Sequence, residues 1–510
     1  MEDRYSVLKR VFGYDRFRPG QEQIIEALLR GQDVMAVMPT GAGKSVCYQV
    51  PALLLPGLTL VISPLISLMQ DQVRALVAAG VPAAYLNNSL NDRQKELMLR
   101  RAREGQYKII YVAPERLLMP GFAALVHCRP VSMVTVDEAH CISQWGHDFR
   151  PSYLQIRTFV EGLAERPVVG AFTATATGQV RRDIEEQLGL RSPLRLVTGF
   201  DRPNLRFETQ RLTNSDKPHA LVDLLLEAGD VPVIVYCSTV RQVEQTAQTL
   251  QGLGFAAAAY HGQLPAELRR RTQEDFLFDR VQVMVATNAF GMGIDKPNVR
   301  MVVHYNMPRD LESYYQEAGR AGRDGEPARC VLLYAPSDVR TAQFFIDKEE
   351  TEGTGPLVQR QENARLARER LRYMTFYATT QRCLRAELLH YFGQKAPVRC
   401  GNCSSCLQPK TVLPAPRPAA PRARPAAPAA RAAGLGPGDQ QLLAALYAVR
   451  KELARRDKLP AFTVCSDAAL RQLCTRRPSS MAQLLEIPGI NEARAQRYGP
   501  ALLDAVRRYG

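Results

Sequence analysis

The sequence predicts an α/β chain: two tandem parallel-sheet domains, then a helical metal-binding module, then a small all-helical domain at the C-terminus. Three observations carry this reading. Short Val/Ile/Leu-rich runs alternate with amphipathic stretches from Val34 to Phe172 and again from Val231 to Tyr334, the pattern of parallel sheets covered on both faces. Cys400, Cys403 and Cys406 form a run with metal-ligand spacing. Residues 439–508 carry apolar positions at helical spacing throughout.

In the first unit, Asp33–Met38, Leu58–Ser63, Lys108–Val112, Val131–Val136 and Val168–Phe172 read as strands. The first runs into Met38-Pro39-Thr40-Gly41-Ala42-Gly43-Lys44-Ser45. In a glycine-rich turn between strand and helix, backbone N–H groups converge on phosphates and a Lys ammonium reaches the outer two. Lys44 and Ser45 are therefore expected to hold phosphate and Mg2+, with Thr40, Gly41 and Gly43 shaping the cradle. Met38 stands where a small residue is usual. Val131–Val136 leads into Asp137-Glu138-Ala139-His140, which puts two carboxylates at a strand's carboxyl end, where ligands of parallel sheets collect. Asp137 is expected to position Mg2+, and Glu138 to orient or deprotonate the attacking water. The pair implies nucleoside triphosphate hydrolysis.

The second unit is expected to start after the polar stretch Gln210–Pro218, with strands at Val231–Tyr236, Ala256–Tyr260, Val281–Ala286, Met301–Tyr305 and Cys330–Tyr334. It lacks a phosphate loop of its own but carries Gln316-Glu317-Ala318-Gly319-Arg320-Ala321-Gly322-Arg323. Arginines there suit the stabilisation of charge on a transferring phosphoryl group across a cleft. Arg323 is assigned as the finger, Arg320 as its partner, and Gln316 lies near nucleotide or water; the alternative is that the arginines only bridge the two domains.

Gln361–Thr379 and Cys383–Phe392 read as helices, and Cys383 can supply the fourth corner of a tetrahedral site with Cys400, Cys403 and Cys406. Structural Zn2+ is the expectation, with an iron–sulfur cluster as the alternative for four thiolates. Pro414–Pro437 is Pro, Ala, Arg, Gly and one Leu, with no acidic residue. It reads as an extended linker whose Arg417, Arg422, Arg424 and Arg431 touch nucleic acid nonspecifically. Helices are expected at Asp439–Arg456, Ser466–Thr475, Ser480–Leu485 and Asn491–Tyr509, with a turn at Ile487–Ile490 and Pro478-Ser479-Ser480 as a cap.

The balance of 66 Lys plus Arg against 51 Asp plus Glu gives a formal charge of +15, which suits a polyanionic partner. Eleven cysteines without an export signal argue for thiols and a metal site over disulfides. No leader and no run of eighteen apolar residues is read, so a soluble, cytoplasmic and nucleoid-associated protein is the expectation.

Together these features resemble the RecQ family of superfamily 2 DNA helicases, over residues 5–406 and again over 439–508. Phe17-Arg18-Pro19-Gly20-Gln21 resembles the family's leading motif, with Gln21 reading the adenine edge. Residues 38–45, 63–72, 137–140 and 172–176 resemble motifs I, Ia, II and III; residues 235–239, 285–295 and 316–323 resemble motifs IV, V and VI. Ser143–Tyr153 resembles the aromatic-rich loop that couples strand binding to hydrolysis. There Trp145, Phe149 and Tyr153 are expected to stack on bases and Arg150 to approach a phosphate, with His147 beside them. The alternative for Trp145, the only tryptophan, is a core aromatic. Ser63, Thr173, Thr175, His261 and Thr287 are expected along the nucleic-acid path, with Thr173 and Thr175 bonding across the cleft; turn and cap roles are the alternative for His261 and Thr287.

The resemblance implies two RecA-like motor domains (1–206 and 207–338), a zinc-binding module (339–410), the linker (411–437) and an HRDC-like helical domain (438–510). It also implies ATP, Mg2+ and Zn2+ as cofactors and 3'-to-5' movement on DNA. The partners implied are single-stranded and partial-duplex DNA, a single-strand-binding protein or other repair factors, and the chain is expected to be a monomer. One departure stands out: most RecQ proteins carry a winged-helix domain directly after the zinc module, and here only the linker follows Cys406. Robust unwinding is thereby in more doubt than ATP hydrolysis, so a strand remodeller with weak unwinding is the alternative. An RNA helicase sharing the motor, or a DNA-binding scaffold with a decayed ATPase, are the further rivals.

Overall fold

The computed structural model describes residues 3–146, 148–290, 296–353, 356–407, 437–457 and 459–509; His147, the end of the motif V stretch (291–295) and the linker residues 408–436 lie outside them. The first sheet has seven strands, all parallel: β1 Val34–Val37, β2 Leu58–Ile62, β3 Ala83–Leu86, β4 Ile109–Val112, β5 Val131–Val136, β6 Val168–Thr173 and β7 Leu194–Val197. Their order is β3-β4-β2-β5-β6-β1-β7. β5, β6 and β1 are neighbours, so the loops leaving their carboxyl ends meet at one place; these loops begin at Asp137, Ala174 and Met38.

The second sheet has six parallel strands, β8 Leu205–Arg211, β9 Val233–Tyr236, β10 Ala257–Tyr260, β11 Val283–Ala286, β12 Met301–His304 and β13 Ala328–Tyr334, in the order β10-β11-β9-β12-β13-β8. It therefore begins at Leu205, upstream of the polar stretch expected to precede it. β8 is an edge strand whose outward residues are only half-buried, so it lacks the continuous apolar run of a central strand.

Beneath this sheet Lys217 is fully buried and its ammonium donates to both Asp338 carboxylate oxygens at 3.1 and 2.9 Å and to Tyr305 O at 2.8 Å. Asp338 also accepts from Asn306 Nδ2 and from the backbone N–H of Ala335 and Met307. Burial lowers the Lys217 pKa and Asp338 raises it. Asp338→Ala would leave an uncompensated buried ammonium, and is expected to destabilise this domain by about 3–5 kcal/mol, read as a lower denaturation midpoint at unchanged m-value.

Helices Pro336–Glu352, Leu357–Thr379 and Leu384–Tyr391 follow. The cysteine knuckle after them docks on the exposed edge of β8: Cys403 pairs with Phe207, and Thr209 N donates to Ser404 Oγ at 3.1 Å. The last helices span Pro437–Asp457, Ala461–Val464, Asp467–Arg476, Met481–Leu485 and Glu492–Tyr509 around their own apolar core. Ser480 accepts from Gln483 N at 3.3 Å as the expected cap. This small domain touches both motor units. Gly489 N donates to Gly13 O at 3.1 Å, Arg471 pairs with Glu326 at 3.2 Å and Arg300 approaches Asp467 at 3.7 Å. Among the described residues no helix is long and apolar enough to cross a membrane.

Candidate functional site

The loop after β1 leaves the sheet beside β6, with Met38 N donating to Thr173 O at 2.9 Å. Met38 itself is fully buried, its sulfur 3.7 Å from Cys47 Sγ, so the large residue fills core space and does not crowd the loop. Gly41 and Gly43 hold φ of 82° and 81°, a left-handed geometry that side chains resist. Helix Lys44–Leu54 starts directly after Gly43. Lys44 and Ser45 thus occupy its first turn, where N–H groups without intrahelical partners favour an anion.

Asp137 continues β5, with its N–H on Ile62 O at 2.8 Å. Its side chain is buried and its pKa is pushed up to about 7, by burial first and the neighbouring Glu138 second, while Lys44 pulls it down. The Lys44 ammonium therefore lies within electrostatic reach of the carboxylate. Glu138 has φ 47° and ψ 46°, a left-handed conformation costing a non-glycine residue about 1–3 kcal/mol. Its carboxylate lies 3.4 Å from His140 Nδ1, and the same nitrogen is 2.9 Å from Thr173 Oγ1.

The 319–323 segment of the second motor unit packs directly on the phosphate loop. A Cβ built on Gly41 would lie 3.5 Å from Arg323 Cα, and one on Gly319 would strike Thr40. Arg323 is half-buried here and Gln316 sits on helix Leu311–Ala318 leading to it. Arg320 is buried beside Tyr236, inside the second unit.

Sequence reasoning missed Arg202. Its guanidinium donates to Thr40 O at 2.9 Å, Gly319 O at 3.0 Å, Ala321 O at 2.9 Å and Gly322 O at 2.7 Å, joining the phosphate loop to the opposing segment. Burial lowers its pKa, and Arg323 and Arg18 push in the same direction. Arg18, Arg202 and Arg323 thus crowd their charges at one end of the phosphate loop, an arrangement that a polyphosphate relieves. The only signal in the sequence was an arginine in the Asp201-Arg202-Pro203-Asn204 turn between the two sheets.

Phe17 packs against Tyr5, with ring centroids 5.2 Å apart. Arg18 donates to Gly41 O. Gln21 is expected to present its amide to adenine, and the structure has that amide on protein backbone instead. Nε2 donates to Ala42 O and Gly43 O, both at 3.1 Å, and Oε1 accepts from Arg18 N at 2.8 Å. The carbonyls of a tight glycine turn need donors, and Gln21 is the nearest one.

The aromatic loop divides. Trp145 is 37% exposed and Phe149 half-buried, whereas Tyr153 is fully buried with its hydroxyl donating to Asp137 O at 3.0 Å. Tyr153 is thus a core residue supporting the carboxylates, which corrects its expected place among the base-stacking rings. Arg150 lies on Asp148 at 3.0 Å and reaches Pro64 O at 3.4 Å. Ser63 is fully buried directly after β2. Thr173 and Thr175 are buried too, and Thr173 Oγ1 serves His140 and the Thr175 backbone. Thr173 bonds within the first motor unit and not across the cleft, because β6 carries it into the interior, and the buried Thr175 hydroxyl just beyond the strand meets no hydrogen-bond partner among the described residues. His261 is buried with Nε2 3.4 Å from Glu244. Thr287 N donates to Tyr260 O at 3.2 Å, so these two family positions do sit together at adjoining strand ends. His147 lies outside the described residues.

The sulfurs of Cys383, Cys400, Cys403 and Cys406 all lie within 4.8 Å of one another, close to the S···S spacing of about 3.8 Å that tetrahedral zinc at about 2.3 Å per bond requires. The N–H of Cys400 points at Cys383 Sγ and that of Asn402 at Cys400 Sγ, both at 3.3 Å, as suits thiolates. Burial raises Cys406, but the Gly401 N–H and neighbouring thiols outweigh it and bring it down to about 6. The donor set fits structural Zn2+.

Family models match nearly the whole described chain: DEAD/DEAH box helicase over residues 18–184, helicase conserved C-terminal domain over 216–325, RecQ zinc-binding over 336–407 and HRDC domain over 439–506. The chain is 36% identical to the ATP-dependent DNA helicase RecQ of Bacillus subtilis across 99% of its own length and 98% of the relative's. It is 46% identical to the RecQ of Haemophilus influenzae over 79% of its length, and spans 63% of that protein. The fold is similar to that of yeast Dbp5 bound to RNA and ADP BeF3, with TM-score 0.56 and 17% identity, covering 73% of this chain and 98% of Dbp5. It is also similar to Mycobacterium smegmatis Lhr bound to ssDNA and AMP-PNP, with TM-score 0.52 and 18% identity over 71% and 56% of the two chains. With its ATP-binding helicase motifs, zinc-binding cluster and HRDC segment, and with no winged-helix match between the last two, this chain belongs to the RecQ family of ATP-dependent helicases that act on nucleic acid.

Proposed function

We propose that the chain hydrolyses ATP between its two motor domains and moves 3' to 5' on single-stranded DNA, separating duplex or branched DNA in recombination and repair. The observation that carries this is the junction of the phosphate loop with residues 319–323 through Arg202, with Arg18 and Arg323 beside it. Lys44 and the helix N-terminus behind Gly43 hold the phosphates. Ser45 and Asp137 would hold Mg2+, which when bound neutralises phosphate charge. Glu138 takes or orients the proton of the attacking water, and His140, held by Thr173 Oγ1, lies directly against the Glu138 carboxylate. Arg323 stabilises charge on the γ-phosphoryl as the leaving oxygen departs. Arg320 braces its segment from inside and Gln316 approaches the water. Gln21 reads adenine only after exchanging a backbone partner.

Trp145 and Phe149 take bases, with Arg150 on a phosphate once Asp148 yields it. His261 and Thr287 line the same path on the second unit. A cytoplasmic, nucleoid-associated monomer that meets single-strand-binding protein on exposed DNA fits this reading. Trp145→Ala is expected to retain DNA-free hydrolysis and to lose most of its stimulation by single strands, a change of about tenfold on the scale of one stacked base. ATPase assays with and without oligonucleotide measure it, and undiminished stimulation would remove Trp145 from the coupling. The uninterrupted passage from zinc module to linker favours one second reading: a DNA-stimulated translocase that remodels strands and unwinds weakly.

A further inference from the structure

The aromatic loop is held by a residue that none of the motifs contains. Arg370, on the long zinc-module helix Leu357–Thr379, donates from Nη1 to Gly146 O at 2.8 Å and lies 3.4 Å from Trp145 O. Around this contact lies a groove of about 380 Å³ lined by Trp145 and Thr177 of the first motor unit, Glu312 of the second, and Arg370, Tyr373 and Tyr391 of the zinc module. The Tyr391 hydroxyl donates to Glu312 Oε1 at 2.7 Å, and its ring meets Tyr373 edge-on at 5.4 Å. Glu312 opens the helix that carries Gln316 and leads into Arg320 and Arg323. One face of the zinc module therefore grips the aromatic loop at one point and the helix behind the arginines at another.

We propose that Arg370 is a positioning residue that holds the aromatic loop in its DNA-free arrangement, so that single-stranded DNA stimulates hydrolysis by drawing the loop off this guanidinium. The proposal rests on the coupling role of Trp145. The physical basis is that a cation on two successive loop carbonyls, those of Trp145 and Gly146, fixes the backbone directly after the tryptophan while leaving its ring at the surface. DNA that stacks on the ring competes with that grip, and a ligand shifts such an equilibrium only by its differential affinity for the released loop. The zinc site then has a use besides folding, since it anchors the helix hairpin from which Arg370 reaches.

Trp145 is the only tryptophan, so its emission reports on this loop alone. In full-length Arg370→Ala, acrylamide quenching of Trp145 without DNA is expected to rise above the wild-type level, because the released loop exposes the ring further, and oligo-dT, whose bases stack on the ring, is expected to lower it in both proteins. DNA-free hydrolysis should rise, and the oligo-dT concentration for half-maximal stimulation should fall, each by about tenfold, the scale of one charge-assisted hydrogen bond. Arg370→Gln, which keeps an amide donor, should fall between wild type and Arg370→Ala. Zinc content and melting temperature certify folding, and the Gln variant answers the question if the Ala variant misfolds. Quenching equal to wild type overturns the proposal. So does increased quenching with unchanged kinetics, which makes Arg370 structural only, and so does a raised half-stimulating concentration, which makes it a DNA contact. Wild-type emission that ignores oligo-dT would instead overturn the Trp145 reading, while the DNA-free quenching still reports whether Arg370 holds the loop.

Discussion

Lys44→Ala lowers the kcat of ATP hydrolysis by about 10³-fold, the scale of losing a principal electrostatic contact to the transferring phosphoryl group, and leaves binding of single-stranded DNA mostly intact. Lys44 opens the helix behind Gly43 and supplies a cation within electrostatic reach of Asp137. Without it Asp137 loses the influence that lowers its pKa, so the carboxylate, already pushed up to about 7 by burial and Glu138, holds its proton more firmly and serves an ion less well. Among side-chain cations, those left near the phosphates are then Arg18, Arg202 and Arg323 at the far side of the loop. The residue is half-buried at a helix start and bears no core packing, so the variant should fold. Steady-state hydrolysis with saturating oligonucleotide, alongside fluorescence anisotropy of labelled single strand, separates the two effects. Loss of DNA binding together with hydrolysis would mean that Lys44 is needed for the fold.

The second large effect falls on zinc. Cys403→Ser is expected to abolish stoichiometric zinc and to unfold the segment around residues 383–407, because the free energy of a structural site is folding free energy. The damage should spread further than in an isolated knuckle. Cys383 and Cys403 are buried in the same apolar cluster as Phe207, Tyr314 and Tyr377, and Cys403 pairs with the edge of the second sheet. The second motor domain should therefore melt at lower temperature along with the module. Elemental analysis should give one zinc per wild-type chain and none in the variant, and full zinc retention or an unchanged melting curve would contradict the assignment.

What could be read from the chain itself was local. The phosphate loop, Asp137 and Glu138, and the three cysteines of the knuckle are contiguous runs whose chemistry needs no partner to recognise. Central strands announced themselves as unbroken apolar runs, while β3, β7 and β8 did not. All three are sheet edges; β7 alternates half-buried and exposed residues, and β8 is only partly buried, with Arg206 and Arg211 among its more open positions. Arg202 and Arg370 were invisible for another reason. Each acts on carbonyls far away in sequence, and one surface arginine among many looks like any other until the fold brings its targets near. Tyr153 shows the converse: its aromatic-rich neighbourhood suggested stacking, but a hydroxyl on Asp137 O and complete burial make it part of the platform beneath the carboxylates.

The central claim is that this motor, with its zinc module and no winged helix matched, unwinds DNA with polarity. Unwinding of matched partial duplexes carrying either a 3' or a 5' single-stranded tail, measured with ATP hydrolysis on the same strands, tests it most directly. The account predicts strand separation confined to the 3'-tailed duplex and dependent on ATP. Strong DNA-stimulated hydrolysis without separation of either duplex, or separation from the 5' tail, would contradict it.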